Sequence, residues 1–142
     1  MIAYFSLFLI SFLSATLFPL SSELTLISLI EKNNYNSFIL VGTASLGNIL
    51  GSAFNWLLGF YLFKCINKKW FPFKERQVQS ASKQFNKFGI WSLLFAWLPI
   101  IGDSLTFVAG ILRVNFLLFL ILVSFGKIFR YIVLLFTVNK LI

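Results

Sequence analysis

The sequence predicts an all-α integral membrane protein built as two inverted repeats, each a re-entrant helical hairpin followed by a spanning helix. Three observations predict it. The first is composition: the 142 residues are 59% hydrophobic and only 11% charged, with a mean hydropathy of +0.91. A soluble domain carries about 25% charged residues. So little polar surface cannot cover a water-soluble core, and a bilayer is the solvent that fits. The second is punctuation: two apolar runs are each broken by a proline followed by an acid, and each precedes a longer unbroken apolar run. The third is an internal match between the two halves at an offset of 79–80 residues.

The expected organisation is one membrane domain over residues 1–142. A first repeat, 1–63, holds a hairpin over 2–30 and a helix over 37–63. A basic loop covers 64–88. A second repeat, 89–142, holds a hairpin over 89–112 and a helix over 114–139.

Residues 2–18 are apolar, with no Lys or Arg before them and no Ala-x-Ala site after them, so a cleaved signal peptide is not expected. The run is interrupted at Pro19-Leu20-Ser21-Ser22-Glu23 and resumes over 24–30. Proline ends a helix, a serine can cap the next one, and Glu23 suits its positive first turn. The second piece is too short for a core of about 30 Å, which needs roughly 20 helical residues. A re-entrant hairpin with its tip buried in protein or lining a wet cavity satisfies the backbone.

Residues 37–63 are long enough to cross with some tilt. Gly47 and Gly51 form a small-xxx-small pair, and Asn48, Gly51 and Asn55 share a face. The polar stretch 64–88 then carries Lys64, Lys68, Lys69, Lys74, Arg76, Lys83 and Lys87 against Glu75, which is +6 of the chain's +8. In a soluble chain such a balance suggests nucleic acid. Here it reads as a topology signal that places the loop in the cytoplasm, so no nucleic-acid partner is expected. About residues 73–87 can form an amphipathic surface helix, for which anionic lipid head groups are the fitting partner. Trp56, Trp70, Trp91 and Trp97 are expected as interface anchors.

Residues 89–98 are apolar, Pro99-Ile100-Ile101-Gly102-Asp103-Ser104 interrupts them, and Arg113 closes the resumed run. The helix over 114–139 follows. Pro19 and Glu23 match Pro99 and Asp103 at an offset of 80. Ser45-Leu46-Gly47-Asn48-Ile49-Leu50-Gly51 matches Ser124-Phe125-Gly126-Lys127-Ile128-Phe129-Arg130 at 79. With the basic loop inside, helix 37–63 runs inward and helix 114–139 runs outward. An odd number of crossings per half makes the repeats inverted, an arrangement by which many transporters place a site at the bilayer midplane.

Four ionisable residues fall at membrane depth: Glu23, Asp103, Lys127 and Arg130. Each costs roughly 2.5–3.5 kcal/mol at a helix centre on insertion scales. Lys127 sits about twelve residues, or roughly 18 Å, from either end of its helix, too far to snorkel to water. The four charges sum to zero. They therefore form two ion pairs closing the repeat interface (Asp103 with Arg130 or Lys127, Glu23 with the other), or they hold an anionic head group and relay protons. The two roles are compatible. Hairpin tips, backbone amides and two cations suit a phosphate, and partly buried carboxylates can take up protons. Asn48 and Asn55 either face that cavity or bond between helices.

With no histidine and the single cysteine Cys65, a disulfide within the chain, His- or Cys-type metal sites and His-based triads are excluded. Cys65 reads as a small apolar filler. Ser11, Ser14 and Thr16 have no base nearby and read as packing residues. No cofactor and no enzymatic activity is expected.

Residues 12–23, Gly47-Asn48 with Gly51, residues 97–103, Ala109-Gly110, and Gly126-Lys127 with Arg130-Tyr131 together resemble the YqaA branch of the DedA family, bacterial inner-membrane proteins related to the SNARE-associated Golgi (VTT domain) proteins. The resemblance spans about residues 10–135. It implies two re-entrant hairpins plus spanning helices, roles in envelope homeostasis, dependence on proton-motive force in some members, and lipid translocation, with polyprenyl phosphate as one cargo. It also implies that Glu23, Asp103 and Arg130 are functional. Longer members carry an arginine on each side of the second break proline. Those places are Ala96 and Gly102 here, which leaves Lys127 and Arg130 as the cations for a head group. The expected function is a lipid transporter or flippase of the inner membrane acting on anionic head groups, with proton coupling and homo-oligomerisation open. A proton-coupled exporter of small cations and a non-transporting assembly factor are the alternatives.

Overall fold

The computed structural model describes residues 1–15, 21–32, 34–62, 75–97 and 101–141. Among them every regular element is a helix. The order is α1 (Ile2–Ser14), α2 (Ser21–Glu31), α3 (Ser37–Leu62), α4 (Glu75–Phe88), a 3-10 segment (Gly89–Trp97), α5 (Ile101–Ile111) and α6 (Phe116–Leu141). The expected breaks at Pro19 and Pro99 lie outside the described residues, as do Lys64, Cys65, Lys68, Lys69, Trp70, Lys74 and Thr16.

Helices α3 and α6 are both 26 residues long and apolar enough to cross a membrane. At 1.5 Å per residue each reaches about 39 Å, more than a core of about 30 Å requires. Asparagines start both. The Asn36 Oδ1 accepts the Phe38 and Ile39 amides at 3.0 and 3.4 Å, and the Asn115 Oδ1 accepts the Leu117 and Leu118 amides at 3.0 and 3.4 Å. Each cap satisfies orphan donors of a first turn. The two caps stand 79 residues apart, the same offset as the Ser-x-Gly match. Asn115 also explains why α6 begins at Phe116 and not at the expected residue 114: a capping residue stands outside the helix it caps.

The second apolar run differs in kind from the first. Where α1 is an α-helix of 13 residues, residues 89–97 wind as a 3-10 helix. At about 2.0 Å per residue its nine residues span roughly 18 Å, close to the roughly 20 Å of α1 at 1.5 Å per residue. The tighter helix reaches a similar length with fewer residues. Gly89, at φ +64, makes the turn into it from α4. A positive φ is the conformation that glycine adopts without steric cost.

Helix α4 (Glu75–Phe88) overlaps the expected amphipathic stretch and ends one residue past it. Val78, Ala81 and Phe85, spaced three and four apart, are buried in one cluster with Leu93 of the 3-10 segment and Leu105 and Val108 of α5, while Arg76, Lys83 and Lys87 are exposed. Its apolar face is therefore covered by protein.

Each first arm packs along the next long helix, α1 on α3 and the 3-10 segment on α6. Of the second arms, α5 packs on α3, while α2 touches α1, α3 and α6. Tyr4 near the start of α1 meets Tyr35, after α2, edge to face at 5.6 Å, so α1 begins and α2 ends at the same end of the molecule. Small residues set the close contacts. A Cβ on Gly47 or Gly51 would come within 2.5–2.6 Å of the Phe8 and Phe12 carbonyl oxygens of α1. On Gly59 it would strike the Phe107 carbonyl, and on Gly110 the Trp56 carbonyl. Only glycine permits this backbone approach.

Trp56 departs from its expected place. It is not an interface anchor but a core residue: its ring stacks on Phe60 at 5.0 Å, and its Nε1 donates to the Val114 carbonyl at 3.2 Å. A buried indole needs a partner for its N–H, and the α5–α6 turn supplies one. Trp91 is exposed, while the side chains of Trp70 and Trp97 lie outside the described residues.

Gly59→Ala and Gly110→Ala should each lower the melting temperature of the purified protein in detergent by several degrees. Gly42→Ala, where a Cβ meets nothing within 4 Å, should leave it unchanged.

Candidate functional site

A lysine in the middle of an apolar helix needs an anion within its own reach, because water is too far away. Helix α6 carries Lys127 and Arg130 one turn apart, each with its side chain turned into the protein. The acids arrive from the two second arms. Glu23 lies in the first turn of α2 and Asp103 in the first turn of α5, where the helix dipole favours negative charge. Both arms therefore present an acid at an N-terminal end against the centre of α6.

The pairing is specific. Lys127 Nζ donates to Asp103 Oδ1 at 2.7 Å. Arg130 donates from both Nε and Nη2 to the same Glu23 oxygen, Oε1, at 2.5 Å. Of the two pairings the sequence allows, the structure adopts Asp103 with Lys127 and Glu23 with Arg130.

The pairs differ in access. The Lys127 side chain is 0% exposed and that of Asp103 11%, while those of Arg130 and Glu23 are 10% and 22% exposed. Removing one partner of a sealed pair strands a charge in a low dielectric, which costs about 3–5 kcal/mol. The Glu23–Arg130 pair is the more exposed of the two.

A second tie stands beside it. Ser22 and Tyr131, both fully buried, share a hydrogen bond of 2.7 Å between their hydroxyls. The residues next to the ion pair, on each helix, are thus also fastened. Sequence reading did not single out this contact. Its signal was a phenol in an apolar run, which in a membrane must find a partner for its hydroxyl.

Asn48 and Asn55 serve the interfaces of α3. The Asn48 Nδ2 donates to the Ser11 carbonyl at 3.1 Å and to Ser14 Oγ at 2.9 Å. Ser14 in turn donates to the Ser11 carbonyl. Ser11 and Ser14 are thus packing residues of α1. The Asn55 Nδ2 donates to the Ala15 carbonyl at 2.8 Å and to Thr106 Oγ1 at 3.2 Å, and Thr106 donates to the Asp103 carbonyl. One amide therefore joins the end of α1 to the first turns of α5. Among the described residues both asparagine Oδ1 atoms are buried without a hydrogen-bond partner. The expected cavity between the hairpin tips involves residues 16–20 and 98–100, outside the described residues. A groove of about 510 Å³ between α3 and α6 is apolar, lined by Phe38, Gly42, Leu46, Ile128 and Ile132 among others, and lies on the side of α6 turned away from Arg130.

The chain matches the VTT domain over residues 26–140. It is 34% identical over 133 residues to the inner membrane protein YqaA of Escherichia coli (strain K12), covering 92% of this chain and 87% of that protein. The same figures hold for the inner membrane protein YqaA of Shigella flexneri. A Haemophilus influenzae protein described as uncharacterized is 33% identical over 137 residues, covering 92% of this chain and 83% of that one. No solved structure matches.

Lys127→Met alone should reduce the yield of folded protein in size-exclusion chromatography, because it leaves Asp103 buried without its cation. Lys127→Met combined with Asp103→Asn should recover most of that yield, since removing both charges removes the stranded one.

Proposed function

Because the chain belongs to the VTT-domain family, known also as the DedA family, we propose that it is a bacterial inner-membrane lipid transporter of the flippase kind that supports envelope homeostasis. Its cargo is a lipid with an anionic phosphate head group, polyprenyl phosphate or a phospholipid. One observation carries the reading: two cations at the centre of α6 meet acids in the first turns of two short helices, and one of these pairs is partly open.

That geometry suits anion exchange. A phosphate that reaches Arg130 competes with Glu23 for the guanidinium, and phosphate matches its fork of donors. The amides at the start of α2 add a positive dipole. Head-group entry thus displaces Glu23 from its cation, and proton coupling is part of the same proposal. Asp103–Lys127 stays closed and holds α5 to α6. Asn48 and Asn55, with free amide oxygens, offer acceptors to a head-group hydroxyl.

The same proposal includes the topology. The chain is multi-pass, α1–α2 and the 3-10–α5 pair are re-entrant hairpins, and the halves are inverted repeats. The shared offset of the Asn36 and Asn115 caps supports this, as does the Tyr4–Tyr35 contact. The basic residues of 64–88 support a cytoplasmic side for that loop.

A second reading rests on an observation of its own: all four charges are already paired. A non-transporting assembly factor needs nothing more from them. Reconstitution in liposomes separates the two. Glu23→Gln and Arg130→Ala should each insert normally and slow translocation of a fluorescent phospholipid or polyprenyl phosphate at least tenfold. The exchanged pair, Glu23→Arg with Arg130→Glu, should not restore it. If both single variants insert and translocate at the unsubstituted rate, the transporter reading fails. Recovery of cellular function by the exchanged pair would favour the assembly factor.

A further inference from the structure

The second arms, α2 and α5, are fastened to the long helices by different means. Helix α5 meets α3 backbone to backbone through Gly59 and Gly110, where no Cβ fits. Asn55 bonded to Thr106, and Trp56 bonded to the Val114 carbonyl just past α5, add polar ties. Helix α2 contains no glycine. It docks through side chains: Leu26 and Ile30 pack in a cluster with Leu7 of α1, Leu40 and Ala44 of α3, and Tyr131 and Leu135 of α6, while Ser22 bonds to Tyr131 and Glu23 to Arg130.

Backbone contact leaves no room for sliding, because each atom in it is fixed by the helix. A side-chain contact yields when rotamers change, and the hydroxyl pair holds α2 by a single hydrogen bond. Ser22 immediately precedes Glu23, and Tyr131 immediately follows Arg130. The Ser22–Tyr131 bond thus sets the register in which Glu23 meets Arg130. The Arg130 guanidinium also lies 5.7 Å from the Tyr131 ring centroid, within cation–π range.

We infer that Tyr131 is a positioning residue. Its hydroxyl latches the N-terminal end of α2 onto α6 and so holds Glu23 on Arg130, and α2, not α5, is the arm that undocks to open the pair. The purpose of the opening rests on the proposed transport, but the opening itself is measurable without any cargo.

The test uses cysteine reactivity in the full chain reconstituted in liposomes, with the only native thiol removed by Cys65→Ala. Leu26 on α2 and Leu105 on α5 are both buried. Leu26→Cys should react with N-ethylmaleimide at least tenfold faster than Leu105→Cys. Adding Tyr131→Phe, which keeps the ring and removes the hydroxyl, should accelerate Leu26→Cys about fivefold, the effect of one hydrogen bond, and leave Leu105→Cys unchanged. Ser22→Ala should do the same, and the two together should do no more than either, as for partners in one bond. Hydrogen exchange of the unsubstituted chain checks this without core substitutions: α2 amides should exchange at least tenfold faster than those of α5.

Equal reactivity and equal exchange of the two arms would overturn the inference. So would acceleration of both sites by Tyr131→Phe, the mark of a merely structural residue. If the asymmetry appears while no lipid phosphate is translocated, the latch stands and the transport reading falls.

Discussion

Two cations one turn apart in the middle of an apolar helix set terms that the rest of the chain has to meet. Hydrocarbon offers Lys127 and Arg130 no water, and neither is near enough to an end of α6 to reach any. Each must be met by an anion from within the protein. The described acids at that depth are Glu23 and Asp103, each in the first turn of a short helix. Bringing both to the same stretch of α6 requires that α2 and α5 end their N-termini close to one another. The charge balance thus acts as a constraint on architecture as well as a candidate for function.

The long helices answer the same problem of close packing in opposite ways. At matching positions α3 has Asn48 and Gly51 where α6 has Lys127 and Arg130. Helix α3 joins its neighbours by near backbone contact and neutral amide bonds, with Gly47 and Gly51 against α1 and Gly59 against α5. Helix α6 joins α2 and α5 at that level by ion pairs. Backbone contact is rigid and indifferent to solutes. Ion pairs respond to any competing charge that can reach them.

Access then divides the two pairs. The Asp103–Lys127 pair is nearly sealed and sits on the arm that glycines bind to α3. The Glu23–Arg130 pair is more open and sits on the arm held by side chains. Tight packing and low exposure go together, because the close approach that excludes solvent also excludes movement. The more exposed pair is the one whose supporting helix docks through side chains.

Much of this was legible in the sequence. Hydropathy and the proline–acid breaks pointed to short helical segments before and after each break and to two long helices, and the two asparagine caps stand at the offset that the sequence match shows. These follow from local chemistry: an apolar run of sufficient length winds into a helix in lipid because its backbone has no other partner. The four charges were also visible, since an ionisable residue in an apolar run is conspicuous wherever it folds. The sequence could not choose between the two ways of pairing them. Lys127 and Arg130 are neighbours, and each was equally available on paper to either acid. The choice depends on where α2 and α5 cross α6, which is set by contacts between residues more than a hundred positions apart, such as Ser22 with Tyr131. The 3-10 winding of residues 89–97 and the burial of Trp56 also belong to the tertiary structure, because they depend on the fit between elements. The sequence by itself determined which charges had to be neutralised in the membrane. Only the tertiary structure decided which acid met which base, and how open each pair remained.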